Sequence, residues 1–331
     1  MNTKELHREI TVGTSLSSDY HTINEALASI PADNEVPTTI FIKNGIYEEK
    51  LMITQPFITL VGEDKENTQI TFGDYAKMTF PDGSFIRTFN TYTVFVGAND
   101  VTIKNLTIKN SAGLGEKVGQ AVALYVEGSR VKVEDVRLIA NQDTLFTGPL
   151  PHKPIEGSTF GGPMEGKERV VGKQYYKNCY IQGDIDFIFG SATAVFENCE
   201  LYSNDLGKEE NGYVTAASTY EGQEFGYVFM NCRFTSDAKK ETVYLGRPWR
   251  DYAKTVLIHC EIGEHIHKEG WHDWNKELAR RVAFYGEYDS YTHEQKPAVL
   301  DQRVPWSHIL NEEDVAKYTL ANILGPDEWY K

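Results

Sequence analysis

A six-residue pattern recurs along the chain and restricts its possible folds more than any other feature. It reads apolar residue, any residue, Asn-like residue, small apolar residue, any residue, apolar residue, as in Phe196–Leu201. The Asn-like positions are Asn105, Asp135, Asn178, Asn198, Asn231 and His259, at spacings of 20 to 43 residues. Repeats every few tens of residues indicate a solenoid, in which each repeat stacks on its neighbours.

Short runs rich in β-branched residues fill the chain, and clear helical periodicity is scarce. Thr38–Ile42, Phe57–Val61, Thr93–Val96 and Val101–Ile103 are such runs, and Gly, Asn and Asp separate runs of this kind. This composition is typical of strands joined by turns. Because the repeats contain strands without helices between them, we predict an all-β fold, a right-handed parallel β-helix that forms one domain over residues 1–331.

Two segments show helical periodicity instead. Tyr20–Ile30 places its apolar residues on one face before Pro31, and a second candidate lies near Glu312–Leu324. A solenoid end exposes unpaired strand edges that must be covered. We therefore expect the first helix to cap the N-terminal end, and the second to cap the other end or pack along the side.

The four cysteines occupy one position of the repeat. Cys179, Cys199, Cys232 and Cys260 each follow the Asn-like residue, so their thiols should line one interior stripe. Neighbouring strands stand ~4.8 Å apart, which is within disulfide range, although stacked side chains point in parallel. Cys179 and Cys199 are the first pair to expect under oxidation. Without a Cys-x-x-Cys pair, a zinc site is disfavoured.

Composition and charge exclude several classes of function. No apolar run approaches the ~20 residues that span a bilayer. The formal net charge of −15 argues against nucleic acid and anionic membranes as partners. Residues 1–10 are polar and charged, without the apolar core of a signal peptide. We expect a monomer that is cytoplasmic as the chain is written, or secreted after removal of a signal.

Three short segments carry the chemistry. Asp186 opens the apolar run Asp186–Gly190, and a buried carboxylate persists only where partners hold it or its charge is used. Gln142–Leu145 and Leu245–Trp249 are the candidate partners. Together the segments supply two carboxylates, amide donors, one guanidinium and one aromatic ring. This set is sufficient to cleave an ester without serine, histidine or metal.

The spacing predicts that these side chains meet. Asp143 lies 23 residues after Gln120, about one coil of the solenoid, and Asp186 lies 43 residues after Asp143. The Gly- and Pro-rich stretch Thr147–Gly172 reads as a long loop, and subtracting roughly 20 residues for it leaves about one coil again. We therefore place these residues on three adjacent rungs, with Arg247 on a later rung or its connecting loop.

These motifs resemble those of the pectin methylesterases, or pectinesterases. The matching segments, in the order of the family, are Gly45–Glu49, Gln120–Leu124, Gln142–Leu145, Asp186–Gly190 and Leu245–Trp249. The resemblance implies a right-handed parallel β-helix and hydrolysis of galacturonate methyl esters in homogalacturonan, in polymer or oligomer form. Phe146 replaces a frequent Tyr of the family, and the loop Thr147–Gly172 resembles a bacterial subgroup.

By resemblance, Asp186 is the nucleophile that forms an acyl-enzyme, and Asp143 is the general acid and then the general base. Arg247 would keep Asp186 ionised, and Gln120 and Gln142 would form the oxyanion hole. The expected substrate contacts are Thr88, Phe187 or Phe189, and Trp249. The resemblance implies neither a cofactor nor a metal.

Other interpretations of these residues fit the sequence less well. Tyr47 and Glu49 of the first motif are expected to be structural. His265, His267 and His272 suggest a metal site, but their segment reads as a polar loop. Paired carboxylates also suit a glycosidase. A polygalacturonase would show Asp-Asp and Gly-His-Gly motifs, a lyase would need a calcium-binding carboxylate cluster, and a non-catalytic binder would have lost one aspartate.

Overall fold

A computed structural model describes residues 7–155 and 157–331, so most of the polar N-terminus considered above, residues 1–6, lies outside the described residues. In this part of the chain, 26 strands form three sheets, and the named strands pair in parallel. The seven complete coils, from Thr38 to Gly246, each contribute one strand to each sheet in turn, and each coil stacks on the one before it. The predicted right-handed parallel β-helix is confirmed.

The strands are numbered in chain order. Sheet A contains β1 (Arg8–Val12), β2 (Thr38–Ile42), β5 (Ile58–Gly62), β8 (Val101–Lys104), β11 (Val131–Glu134), β14 (Lys173–Lys177), β17 (Thr193–Glu197), β20 (Tyr227–Met230), β23 (Lys254–Ile258), β25 (Phe284–Tyr288) and β26 (His308–Ile309). Sheet B contains β3 (Gly45–Glu48), β6 (Thr68–Phe72), β9 (Thr107–Asn110), β12 (Arg137–Ile139), β15 (Tyr180–Gly183), β18 (Glu200–Ser203), β21 (Arg233–Ser236) and β24 (Glu261–Ile262). Sheet C contains β4 (Leu51–Ile53), β7 (Val94–Val96), β10 (Leu124–Val126), β13 (Leu145–Thr147), β16 (Ile185–Gly190), β19 (Gly212–Ala217) and β22 (Val243–Gly246).

The Asn-like residue of the repeat forms the turn from sheet A to sheet B. All six of these residues have a φ between 52° and 56°, in the left-handed region that Asn and Asp tolerate best. Their backbone N–H groups bond to the next coil, as from Asn198 to the carbonyl of Met230 at 3.0 Å. The turns therefore continue the hydrogen-bond ladder between the sheets. Asp289, with φ 50°, has the same conformation and was not recognised from the sequence.

The interior of the solenoid is filled by stacked side chains. The four cysteines are buried free thiols in one hydrophobic core, as the repeat predicted. Each Sγ donates to a backbone carbonyl, as from Cys232 to Phe196 at 3.3 Å. Beside them the aromatic rings of Tyr176, Phe196 and Phe229 stack at 4.7 and 4.5 Å between centroids.

The helices are short. They are α1 (Ile23–Ala28), α2 (Gly115–Val118), α3 (Ala279–Val282), α4 (Glu312–Val315) and α5 (Leu320–Leu324). The first buries Ile23, Ala26 and Leu27 against β1 and β4, so it caps the N-terminal end as expected. The single helix expected near Glu312–Leu324 is two helices, and α5 packs along sheet A against β14 and β17. Within the described residues, no helix is long and apolar enough to cross a membrane.

Candidate active site

A cleft of about 460 Å³ lies on the outer side of sheet C. It is lined by Thr88, Phe89, Gln120, Gln142, Asp143, Ile155, Asp186, Phe189, Ala216, Arg247, Trp249 and Trp274. Eight of these twelve residues were predicted from the sequence as site residues. The cleft therefore gathers nearly all of the predicted site from segments that are far apart in the chain.

Adjacent rungs bring the polar side chains together. Leu124 of β10 pairs with Leu145 of β13, and Leu145 pairs with Ile188 of β16. Gln120 precedes the first of these strands, Gln142 and Asp143 precede the second, and Asp186 lies in the third. The predicted placement on three adjacent rungs is confirmed, and Arg247 directly follows β22, two rungs further along the same sheet.

Both aspartates have left-handed backbones. Asp143 has φ 65° and Asp186 has φ 52°. The register between β16 and β19 shifts between Ile185 and Ile188, so β16 carries one extra residue at Asp186–Phe187. A bulge of this kind redirects side chains and is frequent beside active sites. It turns the Asp186 carboxylate toward the cleft.

The same bulge corrects one predicted substrate contact. Phe187, proposed as a flat face for a sugar, has 0% of its surface exposed and belongs to the interior core. The extra residue of β16 interrupts the usual alternation of side chains: Phe187 and Ile188 both belong to the interior core, whereas Asp186 lines the cleft. Phe189 does line the cleft, next to Trp249 at 5.7 Å between ring centroids.

Arg247 holds Asp186 through a two-point ion pair. Its Nε and Nη2 donate to the two carboxylate oxygens at 2.8 and 2.7 Å. Both side chains are largely buried, with exposed fractions of 15% and 10%. Charge-assisted pairs of this bidentate form are the strong ones, and here the pair also fixes the carboxylate orientation.

The two carboxyl groups differ in their protonation. Burial raises the pKa of Asp186, while the hydrogen bonds and charge of Arg247 act in the opposite direction. Burial, followed by the negative charge of Asp186, raises the pKa of Asp143 well above its usual range. Among the described residues Asp143 has no ion-pair partner of its own. These pKa shifts favour a protonated Asp143 beside an ionised Asp186.

The two glutamines occupy the wall of the cleft beside Asp143. Gln142 packs on Gly115. A Cβ added at position 115 would lie 2.5 Å from Oε1 and 2.8 Å from Cβ of Gln142. Glycine at 115 thus leaves the space that this side chain occupies. Gln120 is fixed through its backbone carbonyl, which accepts from the N–H of Ala76 at 2.9 Å.

Four lining residues were missed from the sequence: Phe89, Ile155, Ala216 and Trp274. Phe89 stacks on Trp249 at 6.4 Å, and it adjoins Thr88, which had been selected. Trp274 lies in a segment that was read as a polar loop. A tryptophan in such a loop, three residues after Trp271, was the available signal.

Tyr47 and Glu49 make structural hydrogen bonds, as expected for them. The Glu49 carboxylate accepts from the N–H groups of Ile23 and Asn24 at 2.9 Å each, at the start of α1, and the Tyr47 hydroxyl donates to the carbonyl of Lys43. His265 is buried, which lowers its pKa to about 4. His265 is not one of the residues that line the cleft.

Comparisons with known proteins find related sequences and structures that cover nearly the whole chain. A family model described as Pectinesterase matches residues 9–150 and 169–327. Pectinesterase 31 of Arabidopsis thaliana is 32% identical over 97% of this chain and 93% of its own length. A crystal structure of pectin methylesterase in complex with a hexasaccharide has a TM-score of 0.78 and 30% identity, with 96% of each chain covered. Pectin methylesterase from carrot has a TM-score of 0.78 and 28% identity, with 95% of this chain and 92% of its own covered.

Proposed function

This chain belongs to the pectinesterase family, and we propose that it hydrolyses the methyl esters of galacturonate units in homogalacturonan through an acyl-enzyme on Asp186. The products are pectate and methanol. The observation that carries the proposal is the asymmetric carboxyl pair: Asp186 is clamped by Arg247, and Asp143 has a strongly raised pKa beside it.

In the first step, a carboxylate oxygen of Asp186 attacks the ester carbonyl carbon. The carbon–methoxy bond breaks, and Asp143 gives its proton to the departing methoxy oxygen, which leaves as methanol. The product is an anhydride between Asp186 and the galacturonate carboxyl. Asp143 is now ionised and able to act as a base.

In the second step, Asp143 takes a proton from water, and the resulting hydroxide attacks the acyl carbon. The anhydride bond breaks, Asp186 returns as a carboxylate to its pairing with Arg247, and Asp143 is left protonated for the next cycle. The new galacturonate carboxyl group leaves and loses its own proton to solvent. Each step passes through a tetrahedral intermediate that carries a negatively charged oxygen. The side-chain amides of Gln120 and Gln142, both at the cleft wall, are the donors that would stabilise it.

The charge of the protein favours an esterified substrate. With a net charge of −15, the chain repels polyanions at long range. Methyl esters mask the charge of homogalacturonan, and the reaction uncovers it. All proposed site residues come from one chain, which is consistent with a monomer as the working unit.

The loop between β13 and β14, residues 148–172, supports a preference for short chains. Its Phe160 packs on Phe89 and Trp249 at 5.6 and 6.2 Å, and Ile155 lines the cleft. Arg250, the neighbour of Trp249 in the chain, donates to the carbonyl of Lys153 in this loop at 2.8 Å. We expect this loop to make the enzyme prefer oligomers to long chains. An unchanged chain-length preference after shortening the loop would refute this expectation.

The assay for the proposed function is methanol release from galacturonide chains of defined length and methylation. We expect methanol in proportion to the carboxylates formed, without shortening of the chains. Cleavage of the glycosidic bonds without methanol release would show instead that the carboxyl pair belongs to a glycosidase or a lyase.

A further inference from the structure

The guanidinium of Arg247 lies between two aromatic rings. Its Cζ is 3.8 Å from the ring centroid of Tyr213 and 3.7 Å from the ring centroid of Trp274. At these distances both rings are in cation–π contact with the guanidinium. With both faces covered, the guanidinium has only its edge available, and that edge makes the two hydrogen bonds to Asp186.

Trp274 is held in place by a short strap, residues 271–276. At one end, Trp271 is buried and stacks on Tyr285 at 4.3 Å between centroids. At the other end, Lys276 donates to the carbonyls of Pro248 and Trp249 at 2.6 and 2.9 Å, and its Nζ lies 4.6 Å from the Trp274 ring. The strap is thus bonded to the same backbone segment that carries Arg247.

Tyr213 is fixed from the solenoid. It lies in β19, its ring stacks on Tyr244 of the next rung at 5.6 Å, and its N–H donates to the carbonyl of Asp184 at 3.0 Å. Of the two rings that flank the guanidinium, one therefore belongs to sheet C and the other belongs to a loop. The two rings contact the long Arg247 side chain at its charged end, where it makes the bidentate pair.

We propose that Trp274 and Tyr213 are positioning residues that hold the Arg247 guanidinium in the plane where it clamps Asp186. The proposal rests on the proposed function, since it assigns these rings to the orientation of the nucleophile. Trp274 also lines the cleft, so a plain role as a platform for a sugar ring is the competing explanation. The two explanations differ in which kinetic constant the ring controls.

The test compares Trp274→Leu, which keeps an apolar side chain but removes the π face, with Trp274→Phe, which is also smaller than Trp but keeps an aromatic face. We expect Trp274→Leu to lower kcat about tenfold to hundredfold because the clamp loosens, and Trp274→Phe to restore most of that loss. A loss confined to KM in both variants would overturn the proposal and assign Trp274 to substrate binding.

A double-mutant cycle with Arg247→Lys removes the remaining ambiguity. Lysine keeps the charge but has no planar fork for the rings to hold. If the rings act through Arg247, Trp274→Leu costs little further activity in the Arg247→Lys background. Effects that multiply within about twofold, as for independent sites, would contradict the proposal.

The pH profile of kcat/KM distinguishes positioning of Arg247 from a purely structural role, because a structural role would not shift the acid limb. Among the described residues, the titratable groups around the Asp186–Arg247 pair are Asp143, Asp184, Lys276 and Tyr285, together with Tyr213 on the face of the guanidinium. A loosened Arg247 stabilises ionised Asp186 less, so the acid limb of kcat/KM should move to higher pH in Trp274→Leu. An unmoved limb with reduced kcat would count against the clamp.

The same comparison at Tyr213 guards against misfolding of the strap. Tyr213→Phe keeps the ring face and should retain most of the activity, whereas Tyr213→Leu should reproduce the loss and the shifted acid limb. Thermal unfolding identifies variants that do not fold. Wild-type enzyme without methanol release would refute the proposed function, whereas active wild type with insensitive ring variants would refute only this inference.

Discussion

Two columns of residues in this molecule share one backbone conformation and use it for opposite purposes. The turns from sheet A to sheet B place Asn-like residues at φ near 54°, where Asn178, Asn198 and Asn231 are exposed. Asp143 and Asp186 take the same left-handed conformation on sheet C, but each is only 7% exposed. The first column keeps the hydrogen-bond ladder continuous. The second directs buried carboxyl groups into a cleft.

The difference lies in what surrounds the side chain. The side chain of an exposed Asn at a turn stays solvated. Its left-handed conformation therefore serves the coil without the cost of burying a polar group. A buried carboxylate costs free energy unless a partner compensates it. Asp186 has that partner in Arg247, and Asp143 avoids the cost by remaining protonated. The same local geometry thus serves the fold in one column and the chemistry in the other.

The strongest way to break this comparison is Asp186→Asn. Asn tolerates the positive φ, so the variant should fold like the parent and differ only in lacking a nucleophilic carboxylate. We expect methanol release to fall by roughly 10⁴-fold or more. Thermal unfolding serves as the control for folding. Methanol release that survives in a folded variant would remove Asp186 from the nucleophile role.

Asp143→Asn should have the next largest effect. The amide fits the left-handed position but cannot give a proton to methanol, so we expect a loss of roughly 10²–10⁴-fold in kcat. The measurement is steady-state methanol release across pH. Removal of a general acid–base group typically costs roughly 10²–10⁴-fold in rate. A loss smaller than about tenfold would therefore contradict this role for Asp143.

Gln142→Ala tests the oxyanion donors. Removing one donor should cost about 2.7–4 kcal/mol in the transition state, seen in kcat with little change in KM. Gly115→Ala is the matched probe, because its Cβ would collide with the Gln142 side chain without removing the amide. We expect Gly115→Ala to lower kcat as well. A change in KM alone for both variants would assign Gln142 to substrate binding.

The smallest expected effect lies in the structural column. Asn198→Ala forces a residue with a Cβ and no compensating polar group into the left-handed region, which should cost about 1 kcal/mol in the free energy of unfolding. Asn198→Gly, which accepts positive φ, should cost less. Neither variant should change kcat. Equal destabilisation by Ala and Gly in denaturant melts would show that the backbone conformation is not what Asn198 provides.

The repeat was sufficient to predict the fold and the meeting of Gln120, Asp143 and Asp186, because stacked coils convert chain spacing into spatial neighbours. The bulge at Asp186–Phe187 was not predictable, since an extra residue leaves no mark in a short apolar run, and Phe187 was therefore assigned to the wrong face. Trp274 was missed for a different reason. Its position depends on the path of a loop, which periodicity does not encode.

The central claim is that Arg247 splits two similar aspartates into one ionised and one protonated carboxyl. Carboxyl-carbon NMR of protein labelled with ¹³C-aspartate measures this directly, with Asp143→Asn and Asp186→Asn assigning the two resonances. As pH rises, Asp186 should lose its proton first, because Arg247 favours its charged form, and Asp143 should lose its proton only at higher pH. The reverse order of titration, or two carboxyls that ionise together, would contradict the account.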